Sequence, residues 1–144
     1  MAQASTTEVF NCKPEEFFKI ISDYSRYPEF LPEVRACRLL ESNSNRKLVE
    51  YEISVVKTFK YSLWMIEEPP HKVSWEFSQG DLFKTSHGSW LLEDQAGKTR
   101  ATYSVEATFR TFVPGPVAKA LISVNLPNMM SAYHKRVSEL FGKG

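Results

Sequence analysis

Residues 116–141 read PVAKALISVNLPNMMSAYHKRVSELF, and this stretch predicts a long helix near the C-terminal end of the chain. Most of its residues favour helix. Pro116 suits the first turn of a helix, and Gly142 suits the position just after its end. The chain before this stretch reads as one strand, a short helical part and then consecutive strands. A single long helix after a run of strands needs a sheet against which to bury its apolar stripe. We therefore expect an α+β fold.

The apolar stripe of this stretch changes its face at Pro127. The apolar residues before the proline share one helical face, and those after it share another. The two sets are Val117, Ala120, Leu121 and Val124, and then Met130, Tyr133, Val137 and Leu140. A straight helix, at about 100° per residue, would place these faces roughly 160° apart. Because proline kinks or breaks a helix, we expect two helical pieces. Residues 130–140 should pack on the sheet, while the first piece either folds over one end or leaves apolar surface exposed.

The composition indicates one globular domain that spans residues 1–144. Hydrophobic residues make up 42% of the chain, and 18 basic residues nearly balance 17 acidic ones, for a formal net charge of +1. This balance predicts no long-range attraction to DNA or to anionic membranes, although local patches stay open. Cys12 and Cys37 stand alone, the N-terminus lacks the features of a signal peptide, and no run of about 18 apolar residues is present. We therefore expect a cytoplasmic protein.

Alternation of apolar and polar residues predicts a strand over residues 3–10 and about six antiparallel strands between residues 34 and 109. The clearest alternation, in residues 48–56, gives these inward residues: Val49, Tyr51, Ile53 and Val55. Residues 59–66 carry apolar side chains on both faces, so their inward set stays open. Prolines after the first strand predict two short helices, of which the second, in residues 23–32, is confined to a short helical turn.

The stretch DYSRYPEFLP at residues 23–32, together with this order of elements, resembles the START-related helix-grip (SRPBCC) superfamily. Within it, the chain looks most similar to the polyketide cyclase/dehydrase family and to its coenzyme-Q-binding and RatA-like branch. The resemblance covers about the whole chain. Further matching stretches are RLLES at residues 38–42, KTF at residues 57–59 and LFKTSHGSW at residues 82–90. The chain departs from the family where Gly80-Asp-Leu-Phe replaces a common Gly-Pro-Phe, and where the last helix is interrupted.

The resemblance implies a helix-grip (Bet v 1/START-like) fold. In this fold a curved antiparallel sheet of about seven strands wraps round a long C-terminal helix, and two short helices follow the first strand. The resemblance also implies a pocket between helix and sheet, whereas alternation alone reports burial and favours a filled core. Small-molecule pockets typically have volumes of roughly 300–1,000 Å³. The residues that we expect to line the pocket are Phe30, Tyr51, Ile53, Leu63, Trp75, Phe77, Trp90, Tyr103, Val105, Phe109, Met130 and Tyr133.

No motif in the sequence points to a metal, a cofactor or a catalytic nucleophile. The three histidines lack the spacing of metal ligands. Ser86 and His87 are consecutive residues of a predicted strand and should face opposite sides of the sheet. Acid–base chemistry in the pocket would therefore depend on tyrosines and on Arg35 or His87, whose orientation the pattern leaves open.

Three functions stay open at this point. We favour a non-enzymatic binder or carrier of a hydrophobic molecule such as a quinone, an isoprenoid or a lipid. It would need only an apolar lining and a gate, which the break at Pro127 would provide. The first alternative is an aromatase/cyclase-type enzyme that acts on a polyketide-like substrate. The second is a ribosome contact, as the RatA-like members suggest, although binding RNA usually needs a basic surface. Residues 117–124 leave open a gate, a peripheral membrane contact or an interface.

Overall fold

The structure is a computed structural model that describes residues 2–54, 57–121 and 125–142. The predictions made for Val55 and Val124 lie outside these residues. The elements of the described chain are β1 (Ala2–Phe10), α1 (Pro14–Ile21), a 3₁₀ helix (Tyr24–Glu29), β2 (Val34–Asn43), β3 (Arg46–Ser54), β4 (Thr58–Glu68), β5 (Lys72–Gly80), β6 (Phe83–Gln95), β7 (Lys98–Phe109), α2 (Gly115–Lys119) and α3 (Asn125–Phe141).

The strands form one antiparallel sheet in the order β1-β7-β6-β5-β4-β3-β2. Strands β1 and β2 lie at opposite edges, and α1 and the 3₁₀ helix separate them in the chain. Shifts of register in the β2–β3, β4–β5 and β6–β7 pairs mark β-bulges, which bend the strands that carry them. The predicted helix-grip fold is confirmed: seven antiparallel strands, a long C-terminal helix and two short helices after the first strand.

Helix α1 begins where the sequence favours a helix start, and it closes one end of the space under the sheet. Pro14 occupies the first turn, and the Glu16 side chain accepts a 2.9 Å hydrogen bond from the backbone N–H of Lys13, a donor that the helix itself leaves unpaired. The buried face packs by aromatic contacts. Phe17 stacks on Phe10 with 4.3 Å between ring centroids, and it meets the ring of Trp90 at 5.2 Å.

Helix α3 buries the stripe that the sequence predicts, with one correction at its end. Met130, Tyr133 and Val137 are buried, whereas Leu140, expected on the same face, is 51% exposed. The stripe continues instead through Phe141, which packs against the core, because residues four apart lie on one helical face. Pro127 is the third residue of α3, within the first turn, where backbone N–H groups have no partner inside the helix. It therefore fits the opening of this helix.

Strand β4 resolves the ambiguous apolar pattern of residues 59–66. Phe59, Leu63 and Met65 are buried in the core, so the odd-numbered residues point inward. Trp64 lies on the outer face, where the guanidinium carbon of Arg46 is 4.5 Å from the centroid of its ring. The cation covers part of the exposed indole, which explains how both faces of the strand carry large apolar residues.

Candidate functional site

A cavity of about 170 Å³ lies between the inner face of the sheet and α3. Strands β3 to β7 supply much of its wall, α3 covers it, and the 3₁₀ helix with the start of β2 borders one side. Eight of the residues predicted to line a pocket lie on this wall: Tyr51, Ile53, Leu63, Trp75, Trp90, Tyr103, Val105 and Tyr133.

Phe30 and Met130, also predicted to line the pocket, lie off the wall. Phe30 packs edge-on against Tyr133 with 5.3 Å between ring centroids, and the Arg136 guanidinium covers its ring at 5.0 Å. Met130 is buried, but its neighbour Met129 reaches the cavity. The cavity faces the flank of α3 that carries residues 126, 129 and 133, which are spaced by three and four positions.

Phe77 and Phe109 lie off the wall for a different reason. Both rings pack against Phe83, with centroid distances of 6.3 and 5.2 Å. Phe83 is the member of this aromatic group that reaches the cavity. The alternation predicts correctly that both residues belong to the inner layer, since both pack against the core, but it does not predict which ring faces the space.

The wall also contains residues that the sequence analysis did not place there. Some could have been predicted from the sequence. Tyr61 and Met65 lie two residues from Leu63 in β4 and so point to the same face of the sheet, and Tyr27 belongs to the YPEFLP stretch. Others, such as Glu33, carry no sequence signal that we recognise. The full set is Ala4, Tyr27, Leu31, Glu33, Val34, Tyr61, Met65, Leu82, Phe83, Ser86, Leu121, Leu126 and Met129.

The tyrosine hydroxyls around the cavity differ in their hydrogen bonding. The Tyr27 hydroxyl donates to the backbone carbonyl of Ile21, and the Tyr51 hydroxyl lies 3.6 Å from the sulfur of Met65. Within the part of the chain that the structure describes, the hydroxyls of Tyr61 and Tyr103 make no hydrogen bond. Two phenol groups on the wall thus keep their hydrogen-bonding capacity for something in the cavity.

Burial keeps these phenols protonated. It raises the pKa of Tyr61, Tyr103 and Tyr133 well above the usual value for tyrosine, because the low-dielectric surroundings disfavour the phenolate. At neutral pH the hydroxyls of Tyr61 and Tyr103 are therefore neutral donors. They suit a ligand oxygen that accepts hydrogen bonds, and they are poor general bases.

Glu33 is the carboxylate on the described wall. Its side chain is half-buried and makes no hydrogen bond or ion pair with the described residues, while its backbone carbonyl accepts a 2.9 Å bond from the N–H of Ser54. The other two acid–base groups considered from the sequence lie elsewhere. Arg35 is exposed, and His87 lies on the outer face, with its Nε2 3.5 Å from Oε2 of Glu106.

The volume of the cavity limits what fits in this conformation. At about 170 Å³ it is smaller than the roughly 300–1,000 Å³ typical of ligand pockets. It is close to an engineered apolar cavity of about 150 Å³ that binds benzene. One ring fits, and a longer molecule would need either a way out of the cavity or a displacement of the helices above it.

Metal-binding clusters and membrane-spanning helices are both absent from the described residues. No group of three or more His, Cys, Asp or Glu side chains is arranged to hold a metal ion. None of the described helices is both long enough and apolar enough to cross a membrane.

Comparison with known proteins places the chain in a family. The family model for polyketide cyclase/dehydrase and lipid transport matches residues 1–137. The ribosome association toxin RatA of Vibrio cholerae is 26% identical over 99% of this chain and 100% of its own length. A START superfamily protein from Mycobacterium smegmatis has a TM-score of 0.82 at 20% identity, with 96% of this chain and 98% of that chain covered.

A further solved structure, the Zhui aromatase/cyclase from Streptomyces sp. R1128, has a TM-score of 0.70 at 15% identity, with coverage of 98% and 88%. Identities this low between solved structures and the chain show a shared fold and no more. The match to the family model spans nearly the whole chain and carries the assignment. The chain therefore belongs to the polyketide cyclase/dehydrase and lipid transport family, and it shares the fold of the START superfamily protein.

Proposed function

We propose that this protein binds a hydrophobic small molecule in the cavity and carries it without chemical change. The wall is mostly apolar, and apart from indole nitrogens its polar side chains are tyrosine and serine hydroxyls and one carboxylate. Sites of this composition bury the body of a ligand and orient it through a few polar contacts. The family description, which includes lipid transport, supports the same class of ligand.

The observation that carries this proposal is the pair of unpartnered hydroxyls on Tyr61 and Tyr103. Neither hydroxyl is a fully buried, unsatisfied atom, so a ligand oxygen that accepts a hydrogen bond from one of them would contribute about 0.5–1.5 kcal/mol to binding. A pure hydrocarbon would not. We therefore propose a ligand that combines an apolar body with at least one oxygen on a ring, as in the head group of a quinone.

The size of the cavity shapes the proposal further. A volume of about 170 Å³ holds about one ring, so an isoprenoid or acyl tail would have to leave the cavity. Leu121 and Leu126 are half-buried wall residues on either side of the junction between α2 and α3. We propose that a tail passes beside these two residues. This exit lies near Pro127, where the sequence predicts a gate.

A fluorescence titration tests the proposal, because Trp75 and Trp90 line the cavity whereas Trp64 lies outside it. In a Trp64→Phe background, a short-chain quinone should change the emission of the two wall tryptophans saturably. The double variant Tyr61→Phe/Tyr103→Phe should bind more weakly. The matched control is Tyr24→Phe. The Tyr24 hydroxyl donates a 2.6 Å hydrogen bond to Glu67, and Tyr24 does not line the cavity. No saturable change with quinones, lipids or polyketide-like aromatics would refute the proposal.

Glu33 favours a second candidate, a reaction of the aromatase/cyclase type. Its carboxylate, which has no hydrogen-bond or ion-pair partner among the described residues, shares the wall with tyrosine hydroxyls, and a base beside proton donors is what proton transfers during ring closure need. Incubation with a poly-β-ketone substrate, followed by chromatography, tests this reading. Cyclised product with the native chain and none with Glu33→Gln would favour an enzyme over a carrier.

The relatives named ribosome association toxin RatA favour a third candidate, contact with the ribosome. They are only 26% identical to this chain, and the net charge of +1 weakly opposes binding to a large RNA surface. Sedimentation of the protein through a sucrose cushion with purified ribosomes tests it. Recovery in the ribosomal pellet that high salt abolishes would support this reading.

A further inference from the structure

The β5–β6 turn, the β7–α2 connection and Lys57, just before β4, lie at the end of the sheet opposite α1. Five exposed residues near this end we call the basic rim: Lys57, Lys84, Arg110, Phe112 and Lys119; the exposed Asp81 lies beside them in the β5–β6 turn. The basic rim is separate from the cavity, since none of these residues lies on its wall.

Phe112 is held in an exposed position by an ordered turn. It is 56% exposed, the most exposed of the large apolar side chains described, while its neighbour Val113 is buried. The backbone N–H of Val113 donates to the Arg110 carbonyl, and the Arg110 N–H donates to the Leu82 carbonyl, both at 3.0 Å. The Nε of Arg110 also donates to the Gly80 carbonyl at 3.0 Å. Hydrogen bonds to the backbone of four residues thus hold the turn in which the Phe112 ring is exposed to solvent.

The cations around Phe112 lack acidic partners. The Nζ of Lys57 lies 5.7 Å from the centroid of the Phe112 ring. Among the described residues, none of the four cations of the basic rim forms an ion pair. Asp81, the acidic residue of the neighbouring turn, uses its Oδ1 to accept a 3.0 Å bond from the N–H of Lys60. The rim therefore sets four cations beside the carboxylate of Asp81, a local excess of positive charge in a chain with a net charge of +1.

The basic rim adjoins the cavity through shared backbone. Leu82 accepts the hydrogen bond from Arg110 and also lines the cavity. Leu121, two residues after Lys119, lines it as well. A partner bound to the rim would therefore lie close to the part of the cavity wall where we propose that a ligand tail leaves.

We propose that the basic rim docks on an anionic lipid bilayer, with Phe112 inserted at the boundary between head groups and acyl chains. Interfacial protein surfaces combine an exposed apolar side chain with flanking Lys and Arg, which are attracted to anionic head groups. The rim combines four cations with one exposed ring, and the Lys57 ammonium lies 5.7 Å from the centroid of that ring. The proposal does not depend on the occupant of the cavity, so the two ideas can fail separately.

A bilayer fits the basic rim better than RNA does. Nucleic-acid sites commonly neutralise about six to ten phosphates, and the rim offers four cations. Its aromatic ring lies near the Lys57 ammonium on a turn, without the row of exposed rings on which successive bases stack. Charge alone would serve either partner, but a single projecting ring among a few cations suits shallow insertion.

Vesicle flotation tests the proposal. The full chain should float with vesicles that contain phosphatidylglycerol, bind vesicles of phosphatidylcholine alone much more weakly, and dissociate as salt is raised. Lys57→Gln should weaken binding about fivefold, and Phe112→Ser by at least about tenfold. Phe112→Leu should retain most of the binding, because it keeps an apolar side chain at that position.

Matched controls come from exposed residues outside the basic rim. Lys98→Gln changes a lysine at the opposite end of the sheet, and Leu91→Ser changes a 44%-exposed apolar residue of β6; both should bind vesicles like the native chain. Absence of binding to anionic vesicles would overturn the proposal. Equal losses in the control variants, or binding to an RNA hairpin without binding to vesicles, would do the same.

Discussion

The rings of Tyr51 and Tyr61 stack nearly parallel across β3 and β4, with 5.2 Å between ring centroids and 12° between ring planes. The two residues are direct partners in the register of the sheet, so the backbone pairing sets the stack. Tyr51 approaches the sulfur of Met65 through its hydroxyl, whereas Tyr61 keeps an unpartnered hydroxyl on the cavity wall. Both rings line the cavity, and the Tyr61 hydroxyl is the one of the two that a ligand can engage without breaking a contact.

Tyr61→Phe should separate ligand binding from stability. The change keeps the stacked ring and removes no hydrogen bond, so we expect the free energy of unfolding to change by less than about 1 kcal/mol. Affinity for an oxygen-bearing ligand should fall by about tenfold, the equivalent of one good hydrogen bond. Urea denaturation and a binding titration measure the two quantities. Tyr24→Phe, which changes a tyrosine off the wall, is the control for affinity, and unchanged affinity in Tyr61→Phe would argue against this hydroxyl as a ligand contact.

Tyr103→Ala should cost less stability than the loss of a fully packed ring. Because Tyr103 borders existing space, we expect its truncation to lower the free energy of unfolding by less than about 3 kcal/mol and to alter ligand retention. Phe17, fully buried and off the wall, provides the comparison, and Phe17→Ala should cost about 3–5 kcal/mol. A large loss in Tyr103→Ala with retention untouched would mean that the ring is simply core.

Gly88 is required by the close approach of the Trp75 indole. A Cβ at this position would lie 2.5 Å from Cζ2 of Trp75 and 2.3 Å from the backbone oxygen of Ser104. Since the backbone cannot easily retreat, Gly88→Ala should push the indole toward the cavity and lower stability by about 1–3 kcal/mol. Ligand affinity should fall with it. Gly115→Ala, where nothing lies within 4 Å of the added Cβ, is a control for glycine replacement without such a clash. Retained affinity in Gly88→Ala would contradict the placement of Trp75.

The buried thiols predict a loss of stability at alkaline pH. Burial raises the pKa of Cys12 to about 11 and that of Cys37 to about 12, against about 8.5 in an unfolded chain. Above about pH 9 the unfolded chain releases these protons and the native chain does not. The free energy of unfolding should therefore fall by up to about 1.4 kcal/mol per pH unit for each thiol.

The buried tyrosines shift in the same direction and should steepen this decline above about pH 10. Urea denaturation at a series of pH values measures it, and Cys37→Ala should make the decline shallower. Equal stability at about pH 8 and about pH 10.5 would show that neither thiol is protected in the native state.

Much of the fold follows from patterns in the sequence, and particular residues show why. The clean alternation in β3 correctly predicts that Tyr51 and Ile53 point inward, because successive side chains of a strand point to opposite faces of the sheet. In β4 both faces are apolar, so the alternation does not tell which face points inward. The burial of Leu63 and Met65 and the Arg46 contact show that Trp64 lies outside. The stripe through Met130, Tyr133 and Val137 predicts which face of α3 is buried. It fails at its end, where Phe141 packs against the core in place of the exposed Leu140.

The cavity is less predictable than the fold because burial and exposure to an internal space produce the same pattern. Phe83 and Phe109 both belong to the inner layer, yet only Phe83 reaches the wall, which depends on how the two rings pack at 5.2 Å. Glu33 has no periodic signal at all, since it follows Pro32 in a connection between elements. Residues of this kind emerge only from the assembled structure.

The identity of any small molecule that the purified protein holds tests the carrier proposal most directly. Extraction with organic solvent followed by mass spectrometry should yield a hydrophobic, oxygen-bearing ring compound in stoichiometric amount from the native chain. The Tyr61→Phe/Tyr103→Phe variant should yield much less of it. An empty protein that also takes up no quinone, lipid or polyketide-like aromatic would contradict the proposal, and it would favour a protein or ribosome partner instead.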